Sequence, residues 1–238
     1  MKSYKDLKIK IFADGANVDE MKRVYSEGLV KGFTTNPTLM KKDGVTDYVS
    51  FAKDVLSVIK DLPISFEVFS DDFETMEKQA RLIGSWGENV YIKIPVTNTK
   101  AEKSDKLINK LSGDGLKLNI TAILTVKQTE EVMEAVSGDT KSLISVFAGR
   151  IADTGRDPIP YIKESLKMLK GNKNAELLWA SSRELLNIFQ AEECGCHIIT
   201  VTNDLLKKLQ MVNKDLKELS LDTVKMFYND ASSAGYNF

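Results

Sequence analysis

Eight short apolar, β-rich runs recur along the chain, spaced by roughly 22–33 residues, with longer amphipathic segments between them. They are KIFAD (10–14), GFTTN (32–36), PISFEV (63–68), NVYIKIPV (89–96), KLNITAIL (117–124), SLISVFAG (142–149), AELLWAS (175–181) and CHIITVT (196–202). Ile, Val, Phe and Thr dominate them, and several are too short for a helix. The stretches between carry helical patterns. Tyr48, Phe51, Ala52, Val55, Leu56 and Ile59 make one stripe in TDYVSFAKDVLSVIKDL, and Met21, Val24 and Tyr25 share a face in VDEMKRVYSEGLV. Thr125 with Gln128 is a capping-box signature, and NDLLKKLQ and LDTVKMFYNDASS read as C-terminal helices. Eight βα units in 238 residues predict an α/β fold, a parallel (β/α)8 TIM barrel. The expectation is a single domain over residues 1–238 with a helical tail from about 205, since no linker or low-complexity tract divides the chain. The rival is a doubly wound open sheet, but its Gly-rich nucleotide turn is missing where the first run passes into ADGANVDE.

Charge narrows the partners. With 33 basic and 34 acidic residues the formal charge is −1, so no global field draws in nucleic acid or an anionic membrane. Phosphate recognition must come from a few local groups. No stretch approaches the roughly 20 apolar residues that span a bilayer. The start MKSYKDLKIKIFADG lacks a signal peptide's apolar run, and Cys194 and Cys196 are too close for an easy mutual disulfide. A cytoplasmic, reducing location is the expectation.

Both faces of a barrel strand are buried, so polar residues inside the runs need a reason. Lys93 in VYIKIPV is the strongest anomaly. Desolvation favours the neutral form of an amine in such a place, and a neutral amine attacks carbonyls to build a Schiff base. The alternative is a strand-end lysine that snorkels to solvent. Glu67 in SFEV is a general acid/base or a salt-bridge partner. Asp14 closes the first run, where a barrel places its active-site loops, or it caps the next helix. Asn36 in TTNP is a candidate with a turn as its alternative, and Asn119 and Thr121, two apart, point to one side of their strand. Arg150 and Arg183 follow consecutive runs, with Ser181 and Ser182 leading into a helix expected to start at Arg183. Either arginine alone suggests a surface ion pair; together they suggest a phosphate site at the last strands. His197 lies in the last run with no evident partner and reads as a core residue. A barrel gathers all these strand ends into one mouth, which suits Schiff-base chemistry on a phosphorylated polyol.

The motifs FADGAN (12–17), FTTNPTL (33–39), SFEV (65–68), VYIKIPVT (90–97), LNITAIL (118–124), ISVFAGRIAD (144–153) and WASSRE (179–184) resemble those of the small transaldolases, a class that includes fructose 6-phosphate aldolases. The resemblance covers almost all of residues 9–205. It implies a (β/α)8 barrel, a transaldolase activity that needs no metal or organic cofactor, sugar phosphate substrates of pentose phosphate metabolism and a homo-oligomer of up to a decamer. It implies Lys93 as the Schiff-base lysine, Asp14 as acid/base, and Glu67 handling a catalytic water with Thr121. Thr34, Asn36, Asn119 and Ser145 would meet the substrate, and Arg150, Ser181 and Arg183 its phosphate. Related aldolases tend to carry Gln in place of Glu67 and Tyr in place of Phe147, so this pair implies transaldolase over release of free dihydroxyacetone. The polar segment TNTKAEKSDKLINKL, without the family's usual glycine, and the tail NDASSAGYNF depart from the pattern.

Overall fold

The computed structural model describes residues 4–236. Eight parallel strands form a closed ring in chain order: β1 (Lys10–Asp14), β2 (Phe33–Thr34), β3 (Ile64–Glu67), β4 (Val90–Pro95), β5 (Leu118–Ile123), β6 (Ser142–Val146), β7 (Ala175–Trp179) and β8 (Ile198–Thr202). Each falls inside one of the runs read from sequence, and β8 pairs back onto β1 from Lys10↔Ile198 to Asp14↔Thr202. Helices stand between the strands, which is what a parallel connection requires. The (β/α)8 barrel is thus observed. It lies within one compact unit, Lys8–Leu206. A second compact unit holds the described residues up to Leu7 and from Lys207 on, including the helix Leu216–Ser233. Among the described residues no helix is long and apolar enough to cross a membrane.

The helix boundaries follow local chemistry. Thr125 and Gln128 form the expected capping box of helix Val126–Ala135. The stripe on Tyr48–Val58 buries Phe51, Ala52 and Val55. Asn17, not Asp14, caps helix Val18–Ser26 by accepting from the Glu20 amide at 3.0 Å, so Asp14 is free of that duty. One expectation fails: no helix begins at Arg183. Helix Leu186–Cys194 starts three residues later. Asn187 Oδ1 accepts from the amides of both Arg183 and Glu184, holding that stretch as a loop.

Alternation along the strands divides the barrel. Outward residues such as Ile64, Phe66, Ile92, Ile94, Ile120 and Ile144 are buried under the helices. Inward residues stack in layers along the bore. At its lower opening Lys10 reaches across β8 to Glu176 at 2.7 Å, an exposed pair worth at most about 1 kcal/mol. Above it, Phe12, Tyr91, Leu143, Leu178, Ala180 and Ile198 form one buried cluster. β1 and β4 are not neighbours in the ring, so Phe12 and Tyr91 join this cluster through the bore. Gly32 makes room for it: a Cβ there would lie 2.5 Å from the Phe12 ring. His197 Nδ1 accepts from the Leu177 amide at 2.9 Å, a backbone-satisfying role. Cys194 and Cys196 are free thiols, Cys196 buried.

Candidate active site

The next inward layer, at the C-terminal ends of the strands, is polar. Ladder register sets Glu67 beside Lys93, Lys93 beside Asn119, and Asp14 beside Thr34. Lys93 is buried. Its Nζ lies 2.9 Å from Glu67 Oε2 and donates to the Thr35 carbonyl at 2.6 Å. The second bond skips β3, so it crosses the bore. The side chain therefore does not snorkel to solvent. Two oxygens compensate a charge that would otherwise be costly here.

Other bonds also skip a strand. Asn119 Nδ2 donates to Ser65 Oγ at 2.9 Å across β4, while Ser145 Oγ donates to Asn119 Oδ1 at 2.6 Å. Both polar ends of the Asn119 amide are thereby fixed. Thr34 Oγ1 donates to Asp14 Oδ1 at 2.8 Å and lies 2.6 Å from Thr200 Oγ1 across β1. Thr34 has one hydroxyl hydrogen, already given to Asp14, so Thr200 must be the donor to Thr34. Asp14 touches the cavity, yet enough protein surrounds it that burial raises its pKa. The Lys93 charge and the Thr34 hydroxyl oppose that rise, and Glu67 adds to it.

A cavity of about 390 Å³ opens above this layer. All twelve residues singled out from sequence line it: Asp14, Thr34, Asn36, Glu67, Lys93, Asn119, Thr121, Ser145, Phe147, Arg150, Ser181 and Arg183. Asn36 also caps helix Pro37–Lys42, accepting from the Leu39 amide at 3.0 Å. Its turn role and its place at the mouth coexist. Thr121 precedes a bulge in β5, where Ala122 adopts a left-handed φ of 62° and the register to β6 shifts. Phe147 packs against the apolar cluster below.

The rim joins the loops after β6 and β7. The Gly149 amide donates to the Ala180 carbonyl at 3.3 Å, and a Cβ on Gly149 would lie 1.5 Å from the Ser181 oxygen. Only glycine permits this approach. Ser181 itself has a left-handed φ of 62°. Arg150 stands exposed on helix Ala148–Ala152. The Arg183 guanidinium grips Asp153, with Nε to Oδ1 at 2.9 Å and a second bond from Nη2 to Oδ2. The pair holds the Asp153 carboxyl below its usual range. The ion pair expected of a lone arginine thus exists at Arg183, and it sits on the rim of the cavity.

Sequence reasoning passed over Ser65, Thr200 and Thr202. Thr200 and Thr202 are two apart in IITVT, and Ser65 precedes Glu67 by two, the same signal that singled out Asn119 and Thr121. It also passed over Thr35, which acts through its carbonyl, a group no side-chain pattern marks.

A closed parallel barrel whose bore ends in a buried lysine, two carboxylates and fixed amides defines a class of site suited to carbonyl chemistry. The profile of the family Transaldolase/Fructose-6-phosphate aldolase matches residues 11–237, and the chain belongs to that family. A probable transaldolase 2 from Listeria monocytogenes is 38% identical over 202 residues, covering 84% of this chain and 88% of that protein. A probable transaldolase from a Thermoanaerobacter species is 35% identical over 218 residues, covering 91% and 95%. A crystal structure of dihydrodipicolinate synthase from Rhodopseudomonas palustris superposes with a TM-score of 0.54 at 16% identity, over 90% of this chain and 79% of that one. That likeness shows the fold alone.

Proposed function

We propose that the chain is a transaldolase that moves a dihydroxyacetone unit from a ketose phosphate to an aldose phosphate through a Schiff base on Lys93. The observation that carries this is the Lys93 amine, buried at the floor of the cavity and held by Glu67 and the Thr35 carbonyl. Glu67 is placed to take the ammonium proton, which frees the nitrogen lone pair to attack the ketone carbon. Loss of water leaves an iminium that draws electrons from the C3–C4 bond. As that bond breaks, the Asp14 carboxylate takes the C4 hydroxyl proton and an aldose phosphate departs. The three-carbon enamine stays on Lys93. It adds to a second aldose phosphate, Asp14 returns its proton to the new alkoxide, and water releases the product ketose. Glu67 and a water beside Thr121 move protons in the imine steps. Asn36, Asn119 and Ser145 meet substrate hydroxyls, and Arg150, Ser181 and Arg183 hold the phosphate and so orient the acceptor.

Phe147 offers no hydroxyl to protonate the waiting enamine, which supports transfer over release of free dihydroxyacetone. The test is borohydride reduction in the presence of fructose 6-phosphate, followed by mass spectrometry. The expected result is a reduced adduct on Lys93, absent in Lys93→Met, and turnover that depends on an added aldose phosphate. An adduct on another lysine sinks the assignment. Equal turnover without an acceptor makes the activity that of an aldolase.

A further inference from the structure

β2 is two residues long, and its shortness changes the bonding of the strand beside it. The Thr35 amide still donates to the Ser65 carbonyl at 3.3 Å, as a parallel ladder requires. The next rung of that ladder would run from the Glu67 amide to the Thr35 carbonyl. It is not made. The Thr35 carbonyl accepts from Lys93 Nζ at 2.6 Å instead. The Glu67 amide donates to the Tyr48 hydroxyl at 2.8 Å, and that hydroxyl donates to the Glu67 carbonyl at 3.0 Å. One phenol thus satisfies both backbone groups that the departing strand leaves open. Tyr48 is fixed for this by its neighbours, with ring centroids 4.6 Å from Phe69, 5.5 Å from Trp86 and 6.1 Å from Phe66. Burial holds the phenol well above its ordinary pKa, so it keeps the proton that the Glu67 carbonyl needs.

We propose that Tyr48 is a positioning residue for the imine-forming lysine: its hydroxyl takes over the strand contact of Glu67 and thereby reserves the Thr35 carbonyl for Lys93. This rests on the Schiff-base reading of the site. Without the hydroxyl, the Glu67 amide competes for the Thr35 carbonyl, and both the lysine and the carboxylate beside it lose their fixed geometry. Tyr48→Phe keeps the ring and its packing.

The full chain is assayed for the rate of borohydride trapping at Lys93 with fructose 6-phosphate, for kcat and KM, and for its thermal midpoint. Tyr48→Phe is expected to slow trapping and kcat about ten- to a hundredfold, the range that small misplacement of a reacting group produces. KM should stay within about twofold, because the substrate contacts remain. Replacing Tyr48 by 4-aminophenylalanine, which keeps a donor and an acceptor at that point, should restore most of the rate. A folded Tyr48→Phe that labels at the wild-type rate overturns the proposal, as does a folded aminophenylalanine chain that stays as slow as Tyr48→Phe. If Tyr48→Phe does not fold, the aminophenylalanine chain decides: wild-type labelling supports the proposal and slow labelling overturns it. Absence of any Lys93 adduct in the wild type overturns the Schiff-base reading and this inference with it, a result distinct from an adduct whose rate ignores residue 48.

Discussion

On β1, Phe12 and Asp14 point the same way and stand two residues apart, yet one is sealed in an apolar cluster and the other faces the cavity. Tyr91 and Lys93 repeat the contrast on β4, and Leu143 and Ser145 on β6. The lower bore is held by close packing without direction. The upper bore is held by directional bonds, several of which skip a strand. Packing tolerates rearrangement but resists removal of volume. A polar network tolerates loss of volume but not loss of a partner. A single period-2 pattern therefore carries stability at one end and chemistry at the other, and substitutions in the two layers should fail in different ways.

The sharpest break of this contrast is at Phe12 and Lys93. Phe12→Ala should lower the unfolding free energy by about 3–5 kcal/mol. It should leave the yield of Lys93 adduct per folded molecule unchanged, whereas Lys93→Met removes the adduct from a chain that still folds. Denaturant melts paired with adduct counting on both variants check this. A Phe12→Ala chain that is folded but unable to label would show that the layers are coupled.

Asp14 gives the next largest effect, with opposite signs for activity and stability. Asp14→Asn should lower kcat about 10²–10⁴-fold, the usual worth of a placed acid/base. Burial raises the Asp14 pKa in the folded chain, so the native state binds this proton more tightly than the unfolded state does. Stability from this group is full below the unfolded pKa and is lost as pH rises through the folded value. Above the ordinary carboxylate range, up to neutral pH, Asp14 therefore costs stability relative to a side chain that carries no charge. Asp14→Asn should melt at a higher temperature than the wild type there, and the gap should close below the ordinary carboxylate range. Melting curves across pH test it. The acid limb of the wild-type rate should likewise lie above the ordinary carboxylate range.

Thr200 sharpens the comparison most gently. Thr200→Val keeps the shape but removes the donor to Thr34 Oγ1, which in turn supports the Asp14 carboxylate. The acid limb should move to higher pH and kcat should fall about two- to fivefold, the worth of one modest hydrogen bond. Thr200→Ser should restore both. A pH–rate profile that Thr200→Val leaves in place would reduce Thr200 to packing.

The barrel was legible because each strand is a short run whose outward face must be apolar. All eight runs contain their strands, and KIFAD matches β1 residue for residue. Run ends were less clear. In SLISVFAG the strand stops at Val146 and, after Phe147 as N-cap, helix Ala148–Ala152 takes up the rest of the run. Side chains of the site announced themselves wherever a charge or amide interrupted an apolar run, as at Lys93, Glu67 and Asn119. Thr200 and Ser65 did not, since a hydroxyl suits a strand for ordinary reasons. Tyr48 gave no signal at all. It belongs to an amphipathic stripe, and its hydroxyl meets the Glu67 backbone only where the two-residue β2 leaves those groups open.

The meeting of Gly149 with the Ser181 carbonyl has a consequence for how such a molecule can change. The two arginine-bearing connections touch main chain to main chain, with no side chain between them to act as a cushion. Lengthening one without reshaping the other would open a gap or force a collision. Any change in the shape of this rim must then proceed by matched alterations in both connections, or be left to the single exposed side chains at their tips.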